Sequence, residues 1–334
     1  MKILCPKLPR CDNYRKRVSL SVKTIAKISG FVISILASAL IFSSCGHVDS
    51  STDKKDYGSG FEPPLVISHI SDPEIDEASG LVVSKCQPNV FWTHNDSGDG
   101  PYIYAIGPTG EDLGTWNVSN AENIDWEDIA EREEPDGTCR LYIGEIGDNS
   151  AKRAVHSVYR IREPVITDQT KDLREKNALP TEPAERLDFN YADENQNAET
   201  LMVHPVTGDI YVLTKRKKGP SGVYKIKPVF GSGDVQTVAR IADVQVPSIP
   251  IGLLTGGDIS PDGRHVALCD YVDGYELTLP AGDPNFDDIW QQTPVRIDLG
   301  PRDTGEAIAY SPDGSAIFAT TENPKPPLIE VKRK

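Results

Sequence analysis

Glu199-Thr200-Leu201-Met202-Val203-His204-Pro205-Val206-Thr207-Gly208-Asp209-Ile210-Tyr211-Val212-Leu213-Thr214 reads as an acid, an apolar strand, a tight reversal and a second apolar strand. The pattern recurs. Asp258-Ile259-Ser260-Pro261-Asp262-Gly263-Arg264 leads into a strand from His265 to Cys269, and Glu306-Ala307-Ile308-Ala309-Tyr310-Ser311-Pro312-Asp313-Gly314 into one from Ala316 to Thr320. Proline fixes φ near −65° at the first central turn position, and Asp and Gly permit the sharp reversal that follows. Two degenerate copies stand earlier, opened by Glu77 before Ala78 to Val83 and by Glu127 and Asp128 before Ile129-Ala130. The five openings lie 50, 72, 59 and 48 residues apart, a period that belongs to solenoids and propellers.

Each copy carries further short strands bounded by turn residues, and no long helical period intervenes. Four strands per repeat make a propeller blade. The third copy continues with Gly222 to Ile226 and Val235 to Ile241 as its last two strands. The fifth copy runs out after Leu328 to Val331, while Leu65 to Ile70 precedes the first copy without a partner. That early strand can complete the last blade, close the ring and remove an exposed edge. The sequence therefore predicts an all-β fold, a single β-propeller of five four-stranded blades closed by an N-terminal strand. Six blades is the alternative, if the long second copy holds another. Pro164 to Pro183 reads as a rim excursion with one short helix around Asp168 to Asn177.

The chain divides into a targeting segment, 1–44, a polar tether, 45–61, and the propeller, 62–334. Eight Lys or Arg lie between Lys2 and Lys27, followed by a 15-residue apolar run from Ile28 to Phe42 and then Ser43-Ser44-Cys45-Gly46. Basic, apolar and small-residue regions in that order form a secretory signal. The small residues before Cys45 resemble the lipobox of bacterial lipoproteins, which implies cleavage there and lipidation of Cys45. The run is short for a membrane span of about 20 residues; an uncleaved anchor and plain secretion are the alternatives. The expected location is the bacterial cell envelope, lipid-anchored through Cys45, at the outer membrane and facing the periplasm or the surface.

The targeting segment takes eight of the 35 basic residues and one of the 50 acids, leaving the rest with a formal charge of −22. No basic face remains for nucleic acid. The lone basic cluster of the propeller is Lys215-Arg216-Lys217-Lys218, and Lys215 lies nearest the end of its strand. No Cys-x-x-Cys or zinc spacing occurs. Cys86 and Cys139 stand in comparable turns of the first two copies, where a disulfide is conceivable in an oxidising compartment. Cys269 reads as an inert inward thiol.

Packing explains a recurring Leu or Val, but not a recurring carboxylate at the entry to a buried strand. In a propeller the first strand of every blade lines the central channel, so Glu77, Glu127, Asp128, Glu199, Asp258 and Glu306 are expected around one mouth. Clustered carboxylates repel unless a cation compensates. Calcium, which takes six to eight hard oxygens, is the expected partner, with another divalent cation as alternative. Thr93-His94-Asn95-Asp96-Ser97-Gly98-Asp99 and Gly144-Glu145-Ile146-Gly147-Asp148-Asn149 follow the second strands of the first two copies. They add Asp96 and Asp148 as ligands in similar places. They also offer His94 or Asp148 as a base, with Lys215 to steady an anionic group.

Ala78-Ser79-Gly80-Leu81, His94 to Asp99, Asp125-Trp126-Glu127-Asp128-Ile129-Ala130, Gly147-Asp148-Asn149, Ala198-Glu199, Pro205 to Tyr211 and Glu306-Ala307-Ile308 together resemble an uncharacterised family of bacterial exported β-propeller lipoproteins. The architecture is more distantly similar to calcium-dependent phytase-like and gluconolactonase-like propellers. That resemblance implies a metal at the channel mouth. Two functions follow as expectations: a monomeric calcium-binding envelope module for a small anionic ligand or an envelope protein, or a calcium-dependent hydrolase of a phosphate ester or lactone.

Overall fold

The computed structural model describes residues 56–247, 253–302 and 304–334. Residues 1–44 and the start of the expected tether, Cys45 included, lie outside the described residues. No described helix is long and apolar enough to cross a membrane. The first strand, β1 (Leu65–His69), precedes blade I, which is built from β2 (Ala78–Val83), β3 (Phe91–Asn95), β4 (Tyr102–Ile106) and β5 (Asp112–Asn117). Blade II comprises β6 (Trp126–Glu133), β7 (Cys139–Glu145), β8 (His156–Arg162) and, after the two-residue β9 (Leu179–Pro180), β10 (Glu185–Tyr191). Blade III is β11 (Ala198–Val203), β12 (Ile210–Thr214), β13 (Ser221–Ile226) and, after β14 (Val235–Val238), β15 (Arg240–Val244). Blade IV is β16 (Gly256–Ile259), β17 (His265–Cys269), β18 (Gly274–Thr278) and β19 (Val295–Ile297). Blade V is β20 (Gly305–Tyr310), β21 (Ala316–Thr321), β22 (Pro327–Lys332) and β1.

The protein is thus the five-bladed propeller that the repeat pattern predicts, and β1 closes the ring by pairing antiparallel with β22. The turn chemistry is as read. In blades IV and V, Gly263 N–H donates to Ser260 C=O at 2.8 Å and Gly314 N–H to Ser311 C=O at 2.9 Å. Both glycines hold positive φ, 68° and 72°, a conformation that L side chains resist. Five buried apolar clusters fill the five seams between adjacent blades. Between I and II, Trp92, Trp116, Trp126, Ile143 and Tyr159 interlock; between III and IV, Leu213, Val266, Tyr275 and Trp290 do so. Trp126 is wholly buried, so truncating it to Ala would cost about 3–5 kcal/mol.

The fourth strand of blade III differs from expectation. Val235 to Ile241 does not form one strand: β14 crosses to pair in parallel with β10 of blade II, and β15 takes the outer position of blade III. The excursion behaves alike, since β9 adds in parallel to β5 of blade I, and its helix shrinks to the single 3-10 turn Glu175–Asn177. Backbone groups on an outer edge need partners, and chain from the following blade supplies them. Cys86 and Cys139 form a disulfide between blades I and II. Near the start of the domain, Gly58 N–H bonds Arg296 C=O at 2.8 Å and Phe61 bridges Arg333, placing this part of the expected tether against blades IV and V.

Candidate metal centre at the channel mouth

The innermost strands carry a repeated irregularity. Register shifts between Ala78 and Gly80, Trp126 and Asp128, Ala198 and Thr200, and Gly305 and Ala307. A β-bulge leaves its extra residue outside the ladder and re-aims the side chain. The four bulged residues are Ser79, Glu127, Glu199 and Glu306. Strand β16 pairs with β17 without a shift, so blade IV contributes no such residue.

A second equivalence accompanies the first. The first residue past the second strand, or in blade II the second, donates its N–H to the carbonyl two positions before the bulge: Asp96 to Glu77, Gly147 to Asp125, Lys215 to Asn197 and Glu322 to Thr304, at 3.0–3.1 Å. The counterpart of Asp96 in blade II is therefore Gly147, one residue before the Asp148 that sequence comparison aligns with it. Gly147 is required there. A Cβ would overlap Glu127 Oε1 and the Asp125 carboxyl group.

Two groups of carboxylates result, each with ligand oxygens within 4.8 Å of one another: Asp96, Asp125 and Glu127, and Glu127, Glu199 and Glu306. Either group could hold a metal ion, and their all-oxygen donors suit a hard cation. Glu127 belongs to both. It is 2% exposed, and among the described residues its carboxylate has no hydrogen-bond or ion-pair partner. Burial, then the carboxylates of Glu199, Asp96, Asp125 and Glu306, raise its pKa well above the ordinary range. Burial and the neighbouring Asp96 push Asp125 up to about 6. Burial raises Glu199 and Glu306 as well, against the pull of Lys215. The Lys215 ammonium ion-pairs with Glu199, lies 3.9 Å from Glu306 Oε1 and sits 4.9 Å over the Tyr271 ring. Burial alone would lower its pKa; Glu199 and Glu306 more than offset this and raise it.

The other sequence-predicted residues lie elsewhere. Asp128 follows a bulge and turns into the channel, where its carboxylate accepts from Ile129 N–H at 2.8 Å, Leu201 N–H at 2.9 Å and Gly257 N–H at 3.4 Å. Asp258 likewise accepts from Ile259 N–H at 2.8 Å and Tyr310 N–H at 2.9 Å. These two acids satisfy inner-strand backbone groups. Glu77 is exposed at the edge of the mouth, in a cleft of about 320 Å³ with Glu74, Asp76, Asp99 and Glu175, and within electrostatic reach of Asp96. Asp148 is bound into a turn, accepting from Arg153 N–H at 2.6 Å and Ser150 Oγ at 3.2 Å. His94 is wholly buried between blades I and II, edge-on to Trp126, with Nδ1 2.9 Å from Asn95 C=O. Burial holds its pKa below the ordinary imidazole value. Asp125, Gly147, Tyr271 and Glu322 are the mouth residues that strand periodicity did not single out. Glu322 holds the post-strand slot of blade V, and the signal for it was its place after Thr320-Thr321.

Strand pairing and site together define a β-propeller with an acidic channel mouth able to hold a cation. The sequence matches no protein-family model and no curated protein. Among solved structures, the chain is similar to the PQQ-bound form of aldose sugar dehydrogenase (Adh) from Streptomyces coelicolor. Identity there is 11%, coverage 84% of this chain and 100% of that one, and the TM-score 0.48. The apo-form of the soluble aldose sugar dehydrogenase (Asd) from Escherichia coli gives 11% identity, 81% and 99% coverage and a TM-score of 0.42. Likenesses this distant carry no argument about activity.

Proposed function

We propose that this chain is a lipid-anchored propeller of the bacterial cell envelope whose mouth binds one divalent cation, calcium first, and presents it to a ligand or partner protein. The observation that carries the reading is Glu127: a buried carboxylate, flanked by four others, with no hydrogen-bond or ion-pair partner among the described residues. An ionised group so placed is costly unless a cation compensates. Asp96, Asp125 and Glu127 would hold the ion, and Gly147 leaves room for the Glu127 and Asp125 carboxylates to converge. The Cys86–Cys139 disulfide supports an oxidising, exported location, as does the signal-like N-terminus ending at Cys45. Lys215 is outnumbered by carboxylates at the mouth, which disfavours a free anionic ligand. Neutral, oxygen-rich groups completing the coordination shell fit better.

Hydrolysis of a phosphate ester or lactone is the weaker reading. A bound ion would supply Lewis acidity, but both expected bases are committed, His94 in the core and Asp148 in its turn. The test is calorimetric titration of the purified protein with calcium. Saturable binding that falls at least tenfold in Glu127→Gln supports the reading; no binding of calcium, magnesium or manganese rejects it.

A further inference from the structure

We infer that the Lys215 ammonium stands in for a second cation between Glu199 and Glu306, so that the mouth accepts one divalent ion and not two. The inference rests on the reading that Asp96, Asp125 and Glu127 bind the first ion. The blade equivalences lead to it. The slot after the second strand is empty of side chain in blade II, at Gly147, and filled in blade III, at Lys215; the two slots occupy the same place relative to the bulged Glu127 and Glu199. Two carboxylate groups of matching ligand spacing therefore lie side by side, sharing Glu127. One holds an amine; in the other the glycine slot is taken up by the Glu127 and Asp125 carboxylates themselves, with no cationic side chain between them among the described residues.

The amine is fixed rather than a stray surface lysine. Its side chain is 14% exposed, it ion-pairs with Glu199, and among the described residues it is the lone ion-pair partner of Glu306, itself 4% exposed and without a hydrogen bond there. Asn197 Nδ2 donates to Glu199 Oε1 at 3.1 Å and holds that carboxylate toward the amine. Tyr271 covers the ammonium on another side, where the ring face attracts a cation. A metal entering this group would have to displace a like charge that cannot reach solvent without leaving both acids unpaired. The neighbouring group imposes no such condition.

The experiment counts calcium ions per chain by flow dialysis, with calcium alone as probe, on the full-length protein. One ion is expected for the natural chain, two for Lys215→Met and one for Lys215→Arg, which keeps the charge. Two ions on the natural chain, or no more ions on Lys215→Met than on the natural chain, overturns the inference. Lys215→Gln repeats the measurement if the Met variant loses its far-ultraviolet dichroism. The double variant Lys215→Met/Asp125→Asn separates this inference from the reading beneath it. One ion retained there supports the second group on its own account, even if the natural chain binds none; no ion retained overturns it.

Discussion

The Ser79 hydroxyl donates to the Glu127 carbonyl at 2.7 Å, tying the bulge of blade I to the bulge of blade II. A parallel bond runs from Thr255 Oγ1 to Gly305 C=O at 2.8 Å, between blades IV and V. In each case a small hydroxyl of one blade fixes the backbone at or beside the acid-bearing bulge of the next. Ser79→Ala should cost about 1–3 kcal/mol, since a buried carbonyl loses its donor. Thermal unfolding would show this as roughly 2–4 °C per kcal/mol. An unchanged midpoint would remove the bond from the account.

Gly147→Ala should weaken calcium binding at least tenfold, about 1.4 kcal/mol. The added methyl group meets Glu127 and Asp125 and closes the space between them. Titration of this variant beside a neighbouring control, Ser150→Ala, checks the expectation. Equal affinities would place the ion elsewhere.

Calcium affinity should rise with pH through the mildly acidic range. Asp125, at about 6, and Glu127, Glu199 and Glu306, all raised, hold protons in the folded metal-free protein more tightly than an unfolded chain would. Below the unfolded carboxylate value, about 4, these groups are neutral in both states and cost nothing. As pH climbs past it, the metal-free fold is destabilised by their ionisation, and a cation that replaces the protons gains in proportion. Titrations at pH 5 and 7.5 should differ by at least tenfold. Glu127→Gln should flatten the pH dependence of metal-free stability; a flat profile in the natural chain would refute the assignment.

Removing the Cys86–Cys139 disulfide, by Cys→Ser at both positions or by reductant, should lower stability by about 2–4 kcal/mol. It closes a loop spanning 53 residues. Cys86 and the start of β7 lie at the opposite ends of their blades from the bulges, so calcium affinity should stay within about twofold. Denaturant unfolding and titration of the same sample test both halves.

The blades, their turns and the closing strand were legible because each is a local pattern: alternation, Pro-Asp-Gly chemistry and a recurring acid. The bulges were not, because a bulge is a property of pairing. Nothing in Trp126-Glu127-Asp128 says that Glu127 leaves the ladder while Asp128 turns inward to the backbone of other blades. The same limit displaced one equivalence by a residue: only the bond from Gly147 N–H to Asp125 C=O shows that glycine, not Asp148, answers to Asp96. The parallel additions of β9 and β14 join segments far apart in sequence. Lys215 was marked from its position at the end of a strand, yet its burial between Glu199 and Glu306 required the ring to be closed.

Lys334 N–H bonds Gly60 C=O at 3.0 Å, next to the bridge between Phe61 and Arg333. Both ends of the described domain therefore emerge at one corner, beside blade V. A reporter fused after Lys334 would start beside the stretch from Gly58 to Phe61 and next to blade V. Labels meant to report on the mouth belong in the loops of blades II and III, where neither chain end can shadow them.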